Sequence, residues 1–297
     1  MWWPLTGMRA PDGEAVSGEL GTPRVDTEGL AFELVKEDVE ALNAAVSGDD
    51  DRGLDITAIS AATYPFVRDR WRITACGGSF GEGYGPKVVV REESPIQTAA
   101  DLIGKRLAVP GTRTSAFLTL SLLLGEIAGG DGADLVRAEP MLFSEVPDAV
   151  LEGRADAGLL IHEAQLTFEK MGLRLVQDVG VWWGETRDLP LPLGLNVVRR
   201  DLDERFGAWT VERVARVLMR SVRYATDHAD ESRAYLLLHS DGREEWKDDA
   251  LVEKYLAMYV SRMSLDMGDR GRAALAAFLG AGALRGLCPD AGVVDVV

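Results

Sequence analysis

The chain has 297 residues, of which 46% are hydrophobic and 27% charged, an ordinary composition for a globular protein with a sizeable core. Its formal net charge of −16 argues against binding to nucleic acid, which needs a basic surface, and against binding to an anionic membrane. The same charge is compatible with a pocket that is locally positive and binds a small anionic molecule.

Neither a membrane segment nor a secretory signal is indicated. The longest apolar run, residues 116–124, is too short to span a bilayer, and the first eight residues lack a basic region followed by a long apolar stretch. Cys76 and Cys288 have no metal-ligand spacing, and two reduced thiols are a simpler interpretation than one disulfide. The three aspartates at 49–51 are interpreted as a solvated turn. The sequence therefore predicts a cytoplasmic protein without a metal site.

The first ninety residues predict strands, helices and a glycine-rich loop. Residues 30–48 indicate a strand followed by a helix, and residues 54–59 indicate a strand after which Ser60 begins a helix. Glycines between residues 77 and 85 separate two further strands, the second over residues 87–93. Because the glycine spacing is not that of a dinucleotide-binding fingerprint, and a strand follows instead of a helix, we interpret this segment as a tight loop.

The middle of the chain contains the clearest pattern. Residues 106–109 predict a strand that a Pro-Gly pair ends, and residues 112–115 begin a helix. A second buried strand, residues 157–161, is followed directly by His162. Ligands of open parallel sheets bind just beyond the carboxyl ends of the strands, so we expect His162 to lie at a functional position.

The order of the elements predicts the fold class. Alternating strands and helices predict parallel sheets with helices on both faces. Two edge-like strands, residues 87–93 and 194–200, flank a central block. The sequence thus predicts an α/β fold with two lobes and a hinge that the chain crosses twice. Residues 1–92 plus 198–297 would form lobe 1 and residues 93–197 lobe 2, with a ligand in the cleft between them.

Several segments carry a resemblance to a known family. VPGTRTSAFLTLSLLL, GEGYGP, the strand end IHE with WWGETRDLPLPLG after it, and YVSRMSLDMGDRGR resemble the 1,4-dihydroxy-6-naphthoate synthases of the futalosine route to menaquinone. The resemblance covers nearly the whole chain. It implies the two-lobed fold of type II periplasmic binding proteins, used in the cytoplasm by an enzyme without a cofactor. The implied reaction is a lyase reaction that opens cyclic dehypoxanthinyl futalosine to 1,4-dihydroxy-6-naphthoate.

The resemblance assigns the catalytic role to His162. The matching histidine of the family is proposed as the base or nucleophile that acts on the substrate, and an imidazole can exchange protons near neutral pH without a metal. Glu163 could fix the tautomer of His162 or could simply begin the next helix.

The resemblance also suggests residues that bind the substrate carboxylate. Thr114 and Ser115 follow a glycine at a helix start, where hydroxyls usually cap the helix, but the same geometry offers N–H groups to an anion. We expect both to bind substrate, with Ala116 allowing close approach to the backbone. Ser60 either points into the cleft from lobe 1 or starts a helix, and Ser79 in the glycine-rich loop is a further candidate contact.

One feature departs from the family pattern. Family members begin with a strand and a loop of the type Ser/Thr-Pro-x-x-Asp-Asp, whereas residues 1–4 of this chain, MWWP, stand where the first helix should already be running. We expect either a start assigned too late, so that the first strand and its site loop are missing, or a shortened relative that has lost the activity.

Two rival functions fit the same fold. Chorismate dehydratase is the alternative within the family group, although IHE and WWGETRDLPLPLG match the naphthoate enzyme better. A binding protein for small solutes, without catalysis, is the alternative from another class.

Overall fold

The structure, a computed structural model, describes residues 2–48, 53–130, 132–240 and 244–297. The aspartates at 49–51 lie outside these ranges. The strands of the described residues are β1 (Ile56–Ser60), β2 (Trp71–Ile73), β3 (Ser79–Gly81), β4 (Lys87–Arg91), β5 (Arg106–Val109), β6 (Arg137–Pro140), β7 (Ala157–Leu160), β8 (Leu173–Asp178) and β9 (Leu191–Arg199).

Helices surround these strands and make up most of the last hundred residues. The α-helices are α1 (Val39–Ser47), α2 (Tyr64–Val67), α3 (Ser115–Ala128), α4 (Val146–Leu151), α5 (Ala164–Thr167), α6 (Val179–Arg187), α7 (Leu202–Phe206), α8 (Thr210–Asp227), α9 (Ala229–Leu238), α10 (Asp249–Tyr259), α11 (Arg262–Leu265) and α12 (Gly268–Leu284). Short 3-10 helices span Trp3–Leu5, Glu19–Gly21, Ala61–Thr63, Ala99–Leu102, Ala133–Leu135, Phe143–Glu145, Phe168–Met171 and Glu244–Lys247.

The first sheet is built around strand β9, which pairs with β1, β2 and β3. Every one of these pairs is antiparallel. The prediction of parallel sheets is therefore wrong for this half. The physical reason is the chain path, because β9 returns from the second sheet and runs antiparallel to the three strands that precede it in the sequence.

The second sheet has the order β6-β5-β7-β4-β8 and is mixed. Strand β5 is parallel to β6 and β7, as the alternation of strands and helices predicts, while β4 is antiparallel to β7 and β8. Val88, Val89 and Val90 of β4 are fully buried, because the strand is covered on both faces and has a neighbour on each side. The expectation that β4 and β9 are edge strands is wrong, since each lies inside its sheet.

The chain passes between the two sheets twice, as the fold class requires. It leaves the first sheet after β3 and returns with β9. Both changes fall earlier than the predicted lobe boundaries at 92/93 and 197/198. Strand β4 belongs to the second sheet because its three valines need neighbours on both sides, and β9 belongs to the first.

The strand predicted near residue 30 is absent from the structure. Residues 31–38 adopt no regular structure, and α1 begins at Val39. Leu30 and Phe32 pack instead against the apolar cluster around α8. Among the described residues, β1 has β9 as its only hydrogen-bonded neighbour strand, and residues 31–38 do not pair with the other edge of β1.

Helix α3 joins the cores of the two sheets. Leu118 and Leu122 pack into the core of the first sheet, whereas Leu120 and Leu124 pack into that of the second. A helix that is apolar on all sides is buried on all sides, and α3 meets this condition over its first eleven residues. The start of α3 is therefore held in a fixed position between the two sheets.

The remaining sequence predictions concern cysteines, membranes and metals. Cys76 and Cys288 are buried free thiols, as the simpler interpretation held. Among the helices of the described ranges, none combines the length and the apolar character that a bilayer span needs. The same part of the chain contains no cluster of His, Cys, Asp and Glu that could hold a metal ion.

Two glycines provide a test of the packing. A Cβ atom at Gly158 in β7 would lie 2.8 Å from Val150 and 2.9 Å from Val146 of α4, whereas one at Gly184 within α6 would meet nothing within 4 Å. We expect Gly158→Ala to lower the free energy of unfolding by about 1–3 kcal/mol through overpacking. Gly184→Ala should raise it by about 0.5–1 kcal/mol because alanine favours a helix interior. Urea unfolding of both variants measures these changes, and a stable Gly158→Ala would contradict the close packing of α4 on β7.

Candidate active site

Two of the predicted serines flank the same glycine of the first sheet. Ser60 at the end of β1 lies opposite Gly194 of β9, and Ser79 at the start of β3 lies opposite the same residue from the other side. A Cβ atom at Gly194 would be 3.0 Å from the Ser79 hydroxyl oxygen. A side chain at residue 194 would therefore crowd the Ser79 hydroxyl.

The hydroxyls at the start of α3 have structural partners. The Thr114 hydroxyl accepts a hydrogen bond from the Phe117 N–H (3.2 Å) and donates to the carbonyl of Gly111 (2.8 Å), which caps the helix. The Ser115 hydroxyl donates to the carbonyl of Leu193 in β9 (2.7 Å) and accepts from the Ala62 N–H (3.3 Å). Ser115 thus fixes the helix start against the first sheet, whereas Thr114 caps the helix.

What the helix start can offer to a ligand is its backbone. The first N–H groups of an α-helix have no partner within the helix and carry a partial positive charge. Ala116 lies in this first turn, is 4% exposed and has the smallest side chain that still favours a helix. The carboxylate-binding role of residues 114–116 stays a prediction, and the groups that remain to serve it are backbone N–H groups and not these two hydroxyls.

The second sheet brings His162 to the edge where α3 begins. Strands β5 and β7 are adjacent and parallel, with Leu107 opposite Ala157. The loop to α3 follows β5, and His162 follows β7. Because the carboxyl ends of adjacent parallel strands lie at the same edge, His162 and the start of α3 share that edge.

His162 adopts a backbone conformation that is unfavourable for a residue with a side chain. Its φ is +54°, in the left-handed region. Its ring packs edge-on against Phe143, with 4.7 Å between centroids, and lies 5.9 Å from the ring of Tyr259. Gln165 accepts a hydrogen bond from the His162 N–H (3.0 Å) and donates to the carbonyl of Gly85 (2.5 Å) when its amide is oriented to satisfy both. Strain of this kind concentrates at functional sites.

The residues next to His162 differ in what they can contribute. Burial raises the pKa of Tyr259 far above the usual range of a phenol, and the His162 N–H offsets this only in part, so Tyr259 stays neutral. Glu163 directly precedes α5, and its backbone carbonyl accepts a hydrogen bond from the Thr167 hydroxyl (3.4 Å). Its role toward the histidine tautomer stays a prediction.

Asn43 is a site residue that the sequence did not single out. It is fully buried in α1, and its Oδ1 accepts a hydrogen bond from the Ser60 N–H (2.8 Å). Its Nδ2 donates to the Ser60 hydroxyl oxygen (3.0 Å) and to Oε2 of Glu40 (3.0 Å). The signal in the sequence was a polar residue within the apolar stripe of a helix, where it needs buried partners.

Glu40 connects this network to the loop before α3. A Cβ atom at Gly111 would lie 2.2 Å from the Glu40 carboxyl carbon, so only glycine fits there without displacing that group. Burial raises the pKa of Glu40, while hydrogen bonds from Asn43 and from the Arg113 N–H offset part of the effect. A carboxyl of α1 thus reaches across to the second half of the molecule.

Solved structures with the same arrangement of two sheets include periplasmic binding proteins. The alkanesulfonate-binding protein SsuA of Xanthomonas axonopodis pv. citri, bound to MOPS, superimposes with a TM-score of 0.58 at 18% identity, covering 86% of this chain and 81% of that one. The fold is therefore the two-lobed α/β fold of these proteins, which confirms the predicted fold class.

Sequence comparisons assign the family. A family model described as Menaquinone biosynthesis matches residues 3–283, and the chain belongs to this family. A 1,4-dihydroxy-6-naphthoate synthase of Streptomyces coelicolor is 36% identical over 264 residues, which are 88% of this chain and 86% of the relative. The enzyme with this name from Thermus thermophilus is 38% identical over 259 residues, or 87% and 86%. A crystal structure of an Archaeoglobus fulgidus protein has a TM-score of 0.74 at 36% identity and covers 87% of this chain and 88% of that one.

The strain at His162 can be measured with two substitutions. Glycine tolerates φ near +54° but alanine does not, so His162→Gly should be more stable than His162→Ala by about 1 kcal/mol in urea unfolding. Asp188, with φ of +53° after α6, is the matched control, and its Gly and Ala variants should differ in the same direction. Equal stability of the two variants at 162, with a difference at 188, would contradict the left-handed conformation.

The raised pKa of Glu40 predicts a pH dependence of stability. A carboxyl whose folded pKa lies above its ordinary value binds its proton more tightly in the folded state. Its contribution to the free energy of unfolding therefore falls as pH rises from below the ordinary value through the raised pKa, and then levels. Glu40→Gln removes this dependence, so its stability relative to the wild type should increase over that window.

Urea unfolding between about pH 4 and pH 8 tests this expectation. Glu92→Gln, at an exposed position, is the control and should follow the wild-type profile. A difference between Glu40→Gln and the wild type that stays constant with pH would contradict the raised pKa.

Proposed function

We propose that the protein is a lyase that converts cyclic dehypoxanthinyl futalosine to 1,4-dihydroxy-6-naphthoate and needs no cofactor. The observation that carries this proposal is the position of His162 at the sheet edge where α3 begins. Its backbone is in the left-handed region, and its ring lies between the rings of Phe143 and Tyr259. The names of the two relatives, which each cover more than four-fifths of the chain, support the substrate and product. The cytoplasmic location stays a prediction from the sequence.

The chemistry follows from the groups at this edge. The substrate carboxylate would bind the N–H groups of the first turn of α3, with Ala116 leaving the backbone accessible. Ser60 and Ser79, on either side of Gly194, would contact other polar atoms of the substrate. His162 would then act as the base that removes a proton from the bound molecule, and loss of the sugar-derived fragment would complete the reaction.

Two other functions remain candidates. Chorismate dehydratase would use the same fold, but the IHE and WWGETRDLPLPLG segments match the naphthoate enzyme better. A binding protein without catalysis is supported by the structural similarity to SsuA proteins, whose names describe sulfonate binding. Such a protein would bind the futalosine derivative and release it unchanged.

Turnover of cyclic dehypoxanthinyl futalosine, followed through the absorbance of the naphthoate product, distinguishes these functions. We expect the wild type to be active and His162→Ala to lose about a hundredfold to ten-thousandfold in kcat, the range for removal of a general base. His228→Ala is the matched control, because His228 is an exposed histidine whose ring stacks on Tyr224.

Each result has a defined meaning. Full activity of folded His162→Ala would remove the role of this histidine. Binding of the substrate without turnover by the wild type would favour the binding protein, and turnover of chorismate would favour the dehydratase.

A further inference from the structure

The direction of one hydrogen bond at the site is fixed by the backbone. The Ser60 N–H can only donate, and it meets Oδ1 of Asn43 at 2.8 Å. The other end of the Asn43 amide is therefore the NH₂ group, which donates to the Ser60 hydroxyl oxygen and to a carboxyl oxygen of Glu40, each at 3.0 Å. Both partners of the NH₂ group are acceptors in these contacts, so the amide has a single satisfied orientation.

The Ser60 hydroxyl therefore accepts from inside the protein and keeps its own hydrogen available. Ser60 takes part in two side-chain hydrogen bonds within the described part of the chain, and its hydroxyl donates in neither. The hydroxyls of Thr114 and Ser115 differ, because each donates to a backbone carbonyl. Among these three hydroxyls, Ser60 is the one whose hydrogen is left for a ligand.

We propose that Asn43 is a positioning residue, which holds the Ser60 hydroxyl as a hydrogen-bond donor toward an acceptor oxygen of the ligand. This inference rests on the proposed function for the identity of the ligand, but the geometry that carries it belongs to the protein alone. Asn43 does not touch the substrate. It acts by preventing the Ser60 hydrogen from turning inward.

Glu40 secures the arrangement from the other side. It accepts the second hydrogen of the Asn43 NH₂ group, and its carboxyl carbon would lie 2.2 Å from a Cβ atom at Gly111. Asp38 and Arg113 are the charged groups that act on Glu40 in this environment. The network therefore links the donor in the first sheet to the loop before α3.

The substitution Asn43→Asp reverses the hydrogen bond without changing the shape of the side chain. An ionised carboxylate accepts from the Ser60 N–H and also from the Ser60 hydroxyl, which turns inward and is lost to the ligand. We expect KM to rise about threefold to tenfold at pH near 8, as in Ser60→Ala, with a smaller change in kcat. Burial beside Glu40 raises the pKa of the new acid, and as pH falls through that pKa the protonated acid donates again, so the KM ratio to wild type should fall toward one, whereas that of Ser60→Ala should not.

Control variants separate this effect from damage to the fold. Asn196→Asp places the same new carboxylate at another buried position of the first sheet and should lower stability without raising KM. If Asn43→Asp alone does not fold, the double variant Glu40→Gln/Asn43→Asp takes its place. It has the same reversed hydrogen bond to the Ser60 hydroxyl, without two carboxylates facing each other. An unchanged KM of folded Asn43→Asp at pH near 8, or a raised KM that acidification leaves unaltered, would overturn the proposal.

A cycle of unfolding measurements tests the contact without any ligand. The unfolding equilibrium constants of Asn43→Ala, Ser60→Ala and the double variant should be non-additive by about threefold to tenfold. Additive effects would overturn the positioning role even if the protein proves to be the proposed lyase. Non-additive effects in a protein that does not turn over the futalosine derivative would reject the proposed function and leave the Asn43–Ser60 contact standing.

Discussion

The burial of α3 between two apolar cores is the constraint on which the site depends. Leu118 and Leu122 on one side, and Leu120 and Leu124 on the other, belong to different sheets, so the helix cannot move without opening one core. Separating even a few buried leucines from their contacts costs several kcal/mol, about 1.5–3 kcal/mol for each side chain exposed. The N–H groups at the start of α3 are therefore presented at a position that both sheets determine.

Polar contacts also hold the start of α3 in place. The Ser115 hydroxyl joins the helix start to Leu193 of β9, and the Glu40 carboxyl lies against Gly111 in the loop before it. A helix N-terminus attracts negative charge. An ionised Glu40 near the start of α3 would therefore compete with a bound anion for the same N–H groups. Burial raises the pKa of that glutamate, and this would lower the electrostatic conflict between its carboxyl and the anionic ligand proposed for the same helix start.

The sequence predicted the parts of the fold and of the site that depend on local pattern. The strand before His162 follows from an apolar run, the helix beginning at Ser115 follows from an apolar run after a Pro-Gly pair, and both are present. Residues 31–38 were mispredicted because an alternating pattern does not say whether a segment pairs with a sheet, and Leu30 and Phe32 pack against the cluster around α8 instead. Asn43 was missed because its importance comes from Ser60, seventeen residues away, which only the folded chain places beside it.

The strained conformation of His162 has a further consequence for how the two halves of the molecule are related. A residue held at φ of +54° needs surroundings that prevent its relaxation, and these come from three places. Gln165 lies in α5, which begins two residues after His162, Gly85 lies in the segment that connects the two sheets, and Tyr259 ends a helix near the other end of the chain. Because two of these three supports are distant from His162 in sequence, the position of its imidazole depends on the connecting segment and on α10. The histidine can therefore be correctly placed only when those elements are in place around it, which makes its geometry a property of the assembled fold and not of its own loop.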